Sequence, residues 1–484
     1  MVTASAKIAQ ASLAERSAAE LARLLSKREI SATEVLADVL QAHERFNSTL
    51  NAIVELNADA ALAAAQASER RYTAGCPLGP LDGIPVTVKD NLFVKGFGAR
   101  WGSRMFAAFR PEQDDIAIER LRASGAVLFA KTNTPEFALA AHTDNALHGP
   151  TRNPWNLAFT PGGSSGGAVA ALAGGIGPLA VGTDAGGSIR RPASYTGVVG
   201  FRPSTGRVPR VFGFPALAAD LQVIAPAART VRDTYTLFKA MAGPDIRDRS
   251  SFAFDDYPLP AERVQTPAAR LRICCVGNVE GSPVDAEIRE RLDVTAARLA
   301  ALDHHVEVGP LPFRLSEIEK VWTTLTAVGL AGVIAGVRDP SRDVQPGGLA
   351  AAQRGSAVPA REYAAVLETV HKIRRECDAF FADFDILLTP ASAALPWAVG
   401  KDYPESIDGQ RAGPRSAAVF ATFVNVAGIP AISVPAGTGA SRLPIGIQLA
   451  AGFGEDMRVL ELARELEVAA PWPLCAPGFT RPFL

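Results

Sequence analysis

Ile84-Pro85-Val86-Thr87-Val88, then Asp115 to Ala123, then Ala126-Val127-Leu128-Phe129-Ala130 read in turn as strand, helix and strand. The outer two runs are short, apolar and partly β-branched, which suits strands. Between them the apolar residues recur at helical spacing. Gly125 is well placed to end that helix, because glycine takes the left-handed conformation without strain. Working outward, Leu179–Val181, Arg272–Val276, Ile386–Thr389, Ala431–Val434 and Ile445–Leu449 are further strand candidates. Helical periodicity falls between several of them, at Asp285–Leu302, Arg361–Phe381 and Asp456–Val468. Strands spread along the chain with helices between them predict an α/β fold built on one large sheet with helices on its faces.

Upstream of Pro77 the texture is helical, over residues 17–75. Ser31-Ala32-Thr33-Glu34 is a capping box, in which the serine oxygen and the glutamate carboxylate satisfy each other's backbone donors. Leu36, Val39, Leu40 and His43 then share one face, so His43 reads as a helix-face residue rather than a catalyst. No Gly/Ser- or Pro-rich linker cuts the chain, and the expected organisation is a single domain over 1–484 with an N-terminal helical segment over 1–75. The weakest points are the loops near Gly243–Gln265 and Pro404–Pro414.

The chain has 484 residues, of which 48% are apolar and 20% charged, a globular balance rather than a disordered one. Lys plus Arg total 49 against 50 Asp plus Glu, for a formal charge of −1, and there is no basic block. Electrostatics therefore gives no ground for a nucleic-acid or anionic-membrane partner. Five cysteines are odd in number and lack metal-ligand spacing. Cys274 and Cys275 sit in a strand-like run where neighbours point to opposite faces, so reduced thiols are expected. Met1 to Glu15 lacks a charged-then-apolar signal pattern, and Gly166–Gly182 is too rich in Gly and Ala for a spanning helix. A soluble, cytoplasmic protein is expected. His304-His305 has no third ligand at useful spacing and reads as a solvated turn rather than a metal site.

The chemistry sits in Pro161-Gly162-Gly163-Ser164-Ser165-Gly166-Gly167 and in Gly182-Thr183-Asp184-Ala185-Gly186-Gly187-Ser188-Ile189-Arg190. Serines among glycines, with a lysine upstream at Lys89, make a Ser–Ser–Lys set that needs no His or Cys. Such a set suits acyl transfer, with a hydroxyl nucleophile, a bridging hydroxyl and an amine as the final base. The glycine-rich run is not a phosphate cradle, since Gly-x-x-x-x-Gly-Lys-Ser/Thr is absent. A lysine can act as a base only when neutral, which burial favours, and Lys89 ends an apolar run.

These motifs, with Leu81 to Asp90, Lys131 to Phe137, Asn153-Pro154-Trp155, Gly200-Phe201-Arg202-Pro203 and the closing Asn425 to Pro435, closely resemble the amidase signature family. The similarity is dense over 81–210 and weaker elsewhere. The resemblance implies a large mixed β-sheet covered by helices on both faces. It also implies a Ser–cis-Ser–Lys triad with Ser188 as nucleophile, Ser164 as the bridging serine after a cis peptide, and Lys89 as base. The 24-residue spacing between Ser164 and Ser188 matches the family and selects Ser164 over Ser165. Ser165, Asp184 and Arg190 would then support the site. The N–H groups of Ala185, Gly186, Gly187 and Ser188 would form the oxyanion hole. Phe137, His142, Gly162 and Gly163 border the substrate in that picture, and His148 lies in the same region.

Hydrolysis of an amide C–N bond is the activity implied, with no metal or organic cofactor. Trp101, Met105, Phe106, Phe137, Phe212 and Phe214 point to apolar or aryl amides, and carbamates pass through the same kind of intermediate. The partner expected is a small-molecule amide, with a homodimer as the assembly allowed for. One branch of the family instead hydrolyses glutamine within a tRNA-dependent amidotransferase. There an acidic residue lies seven positions before the Asn of the closing segment, where this chain has Ala418. The Asn- and Arg-rich stretch of that branch is replaced by Leu325-Thr326-Ala327-Val328-Gly329-Leu330. Both differences favour a free-standing hydrolase. An idle, purely structural subunit is disfavoured by the intact Lys89, Ser164 and Ser188.

Overall fold

The computed structural model describes residues 12–256, 258–260, 264–267 and 269–480. The expectations for residues 1–11, and for part of the loop near Gly243–Gln265, fall outside the described residues. Thirteen strands run in chain order among the described residues. They are β1 (Ile53–Leu56), β2 (Pro85–Lys89), β3 (Val127–Thr132), β4 (Leu179–Asp184), β5 (Val199–Arg202), β6 (Val223–Ala228) and β7 (Arg272–Cys275). Then come β8 (His305–Val308), β9 (Ile386–Pro390), β10 (Ser406–Ile407), β11 (Gln410–Arg411), β12 (Ala431–Thr438) and β13 (Pro444–Ala450). Eleven of them form one sheet in the order β1-β3-β2-β4-β6-β5-β12-β13-β9-β7-β8, and β10 with β11 makes a small ribbon.

The sheet is mixed, as expected. β3-β2-β4 and β9-β7-β8 run parallel, while β4-β6-β5-β12-β13-β9 is antiparallel. Parallel strands need both faces covered. β2, β3 and β4 are buried at every position, which is why they read as continuous apolar runs rather than alternating ones. The main core holds Val86, Val127, Val181, Phe201, Ile432 and Leu449 together with the helices Ala32–Leu50 and Asp456–Ala469.

The capping box at Ser31 is present, with Ser31 Oγ accepting from Glu34 N and the Glu34 carboxylate accepting from Ser31 N. The 17–75 segment is not helical throughout, however. β1 interrupts it and pairs antiparallel with β3, closing one edge of the sheet. Four residues between two helices carry too little periodicity to betray a strand whose stability comes from its partner. His304 also departs from its reading as a solvated turn. Its ring is 3% exposed, Nδ1 accepts from Leu271 N at 3.1 Å, and Nε2 pairs with Glu465 at 2.8 Å. It ties the β7–β8 edge to the helix Asp456–Ala469, while His305 remains exposed.

Candidate active site

β2 and β4 are adjacent and parallel, in the register Val86↔Leu179 and Val88↔Val181. Their C-terminal ends therefore lie side by side, the edge where open α/β sheets place their sites. β2 ends on Lys89, and β4 ends on Asp184 and runs straight into Ala185–Ser188. The third contribution comes from the turn before the helix Gly166–Ala173, where the Gly163–Ser164 peptide is cis. This helix is buried along its whole length. A Cβ on Gly167 would run into the backbone of Asn133, so only glycine lets the helix lie this close to the segment after β3.

Lys89 is fully buried. Its Nζ donates to Ser164 Oγ at 2.8 Å and to Thr183 Oγ1 at 3.0 Å, and Asn91 Nδ2 also reaches Thr183 Oγ1 at 3.1 Å. Burial pushes the amine down to about 7, with the Asp184 carboxylate opposing. Half of such lysines are neutral near pH 7, the condition for accepting a proton. Lys131 is buried too but differently placed. Its Nζ caps the Leu92 carbonyl at 2.5 Å, and Asp90 and Asp115 favour its charged form against burial. Of the two buried lysines, only Lys89 touches a serine hydroxyl.

The serine segments are tied together. Ser165 N–H donates to the Ser188 carbonyl at 3.0 Å, and Ser165 Oγ donates to the Thr183 carbonyl at 3.2 Å. Behind them Asp184 and Arg190 form a buried fork, with Arg190 Nε on Oδ2 at 3.0 Å and Nη2 on Oδ1 at 2.9 Å. Burial alone would raise the Asp184 carboxyl. Arg190, Arg202 and Asn425 overcome that and hold it well below the ordinary carboxylate range. Asp184 in turn accepts from Gly187 N at 2.9 Å and Ile189 N at 3.1 Å, which fixes the turn carrying Ser188. Arg190 continues to Gln448 Oε1, Asn425 Oδ1 and the Ala421 carbonyl.

Gly187 therefore departs from its expected place among the oxyanion donors, because its N–H is taken by Asp184. Among the described residues, the N–H groups of Ala185, Gly186 and Ser188 take no partner and stay available. Ser188 itself is 8% exposed, while Ala185 and Gly186 are half-buried.

The residues expected at the substrate border divide. The Gly162 carbonyl accepts from Thr143 Oγ1 at 2.9 Å and the Gly163 carbonyl from Arg191 Nη2 at 2.9 Å. The His142 backbone packs on Gly163, and its ring Nδ1 donates to the Asp402 carbonyl at 3.1 Å. The His148 Nε2 is buried without a partner, and burial lowers the pKa of this ring. Phe137 is 2% exposed, edge-on to Trp101 at 5.4 Å, and Trp101 stacks on Phe214 at 4.6 Å. These rings close on one another, leaving Met105 and Phe106 half-exposed. Phe212 faces Arg247 instead.

Three residues at the site carry no sequence signal that singles them out. Thr183 shares the Lys89 amine with Ser164. Trp322, on the helix Leu315–Ile334, donates Nε1 to the Ala185 carbonyl at 3.2 Å, and Arg415 lies over its ring at 4.0 Å. Trp322 and Arg415 arrive from far along the chain, so only the folded chain could reveal them.

A sheet of this order, with a buried lysine on a glycine-flanked serine at the strand ends, is the α/β fold of the amidase signature enzymes. The family model described as Amidase matches residues 34–460, and the chain belongs to that family. By sequence it is 35% identical over 473 residues to a glutamyl-tRNA(Gln) amidotransferase subunit from Synechococcus sp. (strain CC9605), covering 92% of this chain and 94% of that one. By structure it is similar to a bacterial aryl acylamidase of the amidase signature family, with a TM-score of 0.86, 29% identity, and coverage of 94% and 96%. It is also similar to a 6-aminohexanoate cyclic dimer hydrolase complexed with substrate, with a TM-score of 0.84, 28% identity, and coverage of 96% and 99%. No helix of the described residues is long and apolar enough to cross a membrane.

Proposed function

We propose that the protein cleaves carboxylic amides through an acyl-enzyme on Ser188, with Ser164 and Lys89 as the proton relay. The observation that carries this reading is the fully buried Lys89 amine on Ser164 Oγ at 2.8 Å, beside the strand end that leads to Ser188. Ser188 Oγ attacks the amide carbon, its proton passes to Ser164 Oγ, and the Ser164 proton passes to neutral Lys89. The oxyanion is met by the free N–H groups of Ala185, Gly186 and Ser188, while Gly187 holds the turn through Asp184. Breaking the C–N bond returns the proton through Ser164 to the leaving amine. Water then attacks the ester by the same relay, releasing a carboxylic acid and restoring the Ser188 hydroxyl.

Apolar or aryl acyl groups remain the first choice of substrate, with carbamates as a related class. The half-exposed Met105 and Phe106 and the resemblance to the aryl acylamidase support that choice. The sequence relatives favour a second reading, in which glutamine is hydrolysed and its ammonia passed on within a tRNA-dependent amidotransferase. Against it stands Ala418, a buried methyl where the resemblance to that branch calls for a carboxylate. The test is amine or ammonia release from an anilide, an aliphatic amide, an aryl carbamate and glutamine, with Ser188→Ala as the blank. Turnover of the first three by the isolated chain supports the hydrolase. Turnover of glutamine alone, or only with added amidotransferase subunits, supports the second reading. No turnover under either condition, with Ser188 unlabelled by a fluorophosphonate, would reject both.

A further inference from the structure

The backbone leading to Ser188 is held carbonyl by carbonyl. The Thr183 carbonyl accepts from Ser165 Oγ at 3.2 Å and the Asp184 carbonyl from Asn425 Nδ2 at 3.0 Å. The Gly187 carbonyl accepts from Arg191 N at 3.0 Å and the Ser188 carbonyl from Ser165 N at 3.0 Å. The Ala185 carbonyl depends on a different source. Trp322 Nε1 donates to it at 3.2 Å, and among the described residues it has no other hydrogen-bond partner. That peptide matters because its other end is the Gly186 N–H, one of the three free donors of the turn.

In a trans peptide the C=O and N–H point in opposite directions, so whatever fixes the carbonyl also aims the N–H. A peptide that leads into two glycines turns over at little steric cost. Flipped, it would set the lone pairs of the Ala185 carbonyl against a developing oxyanion. A hydrogen bond to the carbonyl also polarises the amide and strengthens its N–H as a donor.

The indole is built into this position. A Cβ on Gly186 would lie 2.8 Å from Trp322 Nε1 and 3.3 Å from Cε2, so the ring rests directly on the segment. The helix Leu315–Ile334 that carries Trp322 is rooted by buried Ile318, Val321 and Leu325. Half-buried Arg415 lies over the ring at 4.0 Å and donates Nη2 to Thr422 Oγ1 at 2.7 Å, so a tethered guanidinium fixes the ring by a cation–π contact. Thr422 opens the helix Thr422–Ala427, which also supplies Asn425 to the Asp184 carbonyl. Two successive carbonyls thus answer to one helix, Asp184 directly and Ala185 through Arg415 and Trp322.

We propose that Trp322 is a positioning residue for the oxyanion hole, whose indole N–H holds the Ala185–Gly186 peptide with the Gly186 N–H turned to the oxygen of the scissile carbonyl. Trp322 acts only through that peptide. This rests on the acyl-enzyme reading above. The substrate carbonyl binds with little charge, whereas the tetrahedral intermediate carries a full one, so a loss of aim falls on kcat rather than KM.

The test measures kcat and KM with nitroacetanilide, butyramide and glutamine for the wild type, for Trp322→Phe, and with benzothienylalanine at position 322. In the last, sulfur replaces the indole N–H at nearly the same shape. Where none of the three amides turns over, saturable labelling of Ser188 by a fluorophosphonate gives the same pair of constants, since charge then develops on the phosphoryl oxygen. Losing an oxyanion donor costs about 10²–10³ in rate, and losing the group that aims one should lower kcat by about 10- to 100-fold at unchanged KM. Arg415→Met should show part of the same loss, again in kcat. The benzothienylalanine protein should melt with the wild type, and it decides the matter where Trp322→Phe fails to fold. A kcat for it within about twofold of wild type, or a loss that appears as a raised KM, overturns the inference while the acyl-enzyme reading stands. Turnover that survives Ser188→Ala, or a Ser188 that no fluorophosphonate labels, removes that reading and the inference with it.

Discussion

Lys89 is fully buried and donates only to hydroxyls, and the consequences of that isolation can be measured. Its folded pKa of about 7 implies that kcat/KM rises with pH as one proton leaves, half-way near pH 7, and then levels off. A profile flat from pH 5 to about 9, with chemistry limiting, would remove Lys89 as the base. The same shift leaves a mark on stability. Between about 7 and the ordinary 10.5 the unfolded lysine holds a proton that the folded one lacks, so stability contributed by this group rises with pH across that window. Lys89→Met should flatten that slope in denaturant titrations run at several pH values. Ser164→Ala should lower kcat by on the order of 10³-fold or more while the melting curve stays in place. Near-normal turnover in that variant would end the relay.

At the scale of elements, the site depends on helices that start in the right place. The capping box at Ser31 sets the start of the helix Ala32–Leu50, far from the serines. Ser31→Ala should cost about 1 kcal/mol in chemical denaturation without changing kcat. The helix Gly166–Ala173 is a different case, because its N-terminal turn carries Ser164 and Ser165. Adding a methyl at Gly167 meets the Asn133 backbone, which has no rotamer to yield with. Gly167→Ala should therefore destabilise by roughly 1–3 kcal/mol and lower turnover as well, the signature of a helix pushed off its bed. Full activity in that variant would show that the helix can shift without moving the serine. The helix Leu315–Ile334 matters for reach. Trp322 touches the Ala185 segment and Leu330 the aromatic cluster, eight residues or about 12 Å further along its axis.

Across the whole molecule, the turn carrying Ser188 is held by residues from distant parts of the chain. Asp184 comes from the end of β4, Arg190 from the start of the helix Arg190–Thr196, Asn425 from the helix Thr422–Ala427, and Gln448 from β13. Arg190→Met would leave Asp184 buried without its fork, at a cost of about 3–5 kcal/mol. Its turnover should fall even where the protein remains folded, because Gly187 and Ile189 are anchored to that carboxylate. Unchanged stability and rate would mean that Asn425 alone suffices.

The central strands were legible because β2, β3 and β4 are wrapped on both faces and so read as apolar runs bounded by glycine and proline. β5 and β6 were not. β6 contains Pro226, which argues against a central strand, yet β5 pairs only with Ala227 and Ala228 and leaves position 226 off that ladder. At the site, the order of residues already carries the types and spacings: a lysine closing one apolar run, serines 24 apart among glycines, and an acid–base pair six residues apart at Asp184 and Arg190. These are local features, and local chemistry leaves local traces. Folding alone settles that Lys89 lies on Ser164, that Gly187 serves Asp184, that the Phe137 cluster closes on itself, and that Trp322 and Arg415 stand over Ala185–Ser188. Those facts depend on which strands pair and on what burial does to a charge, and neither is written within a single segment of the chain.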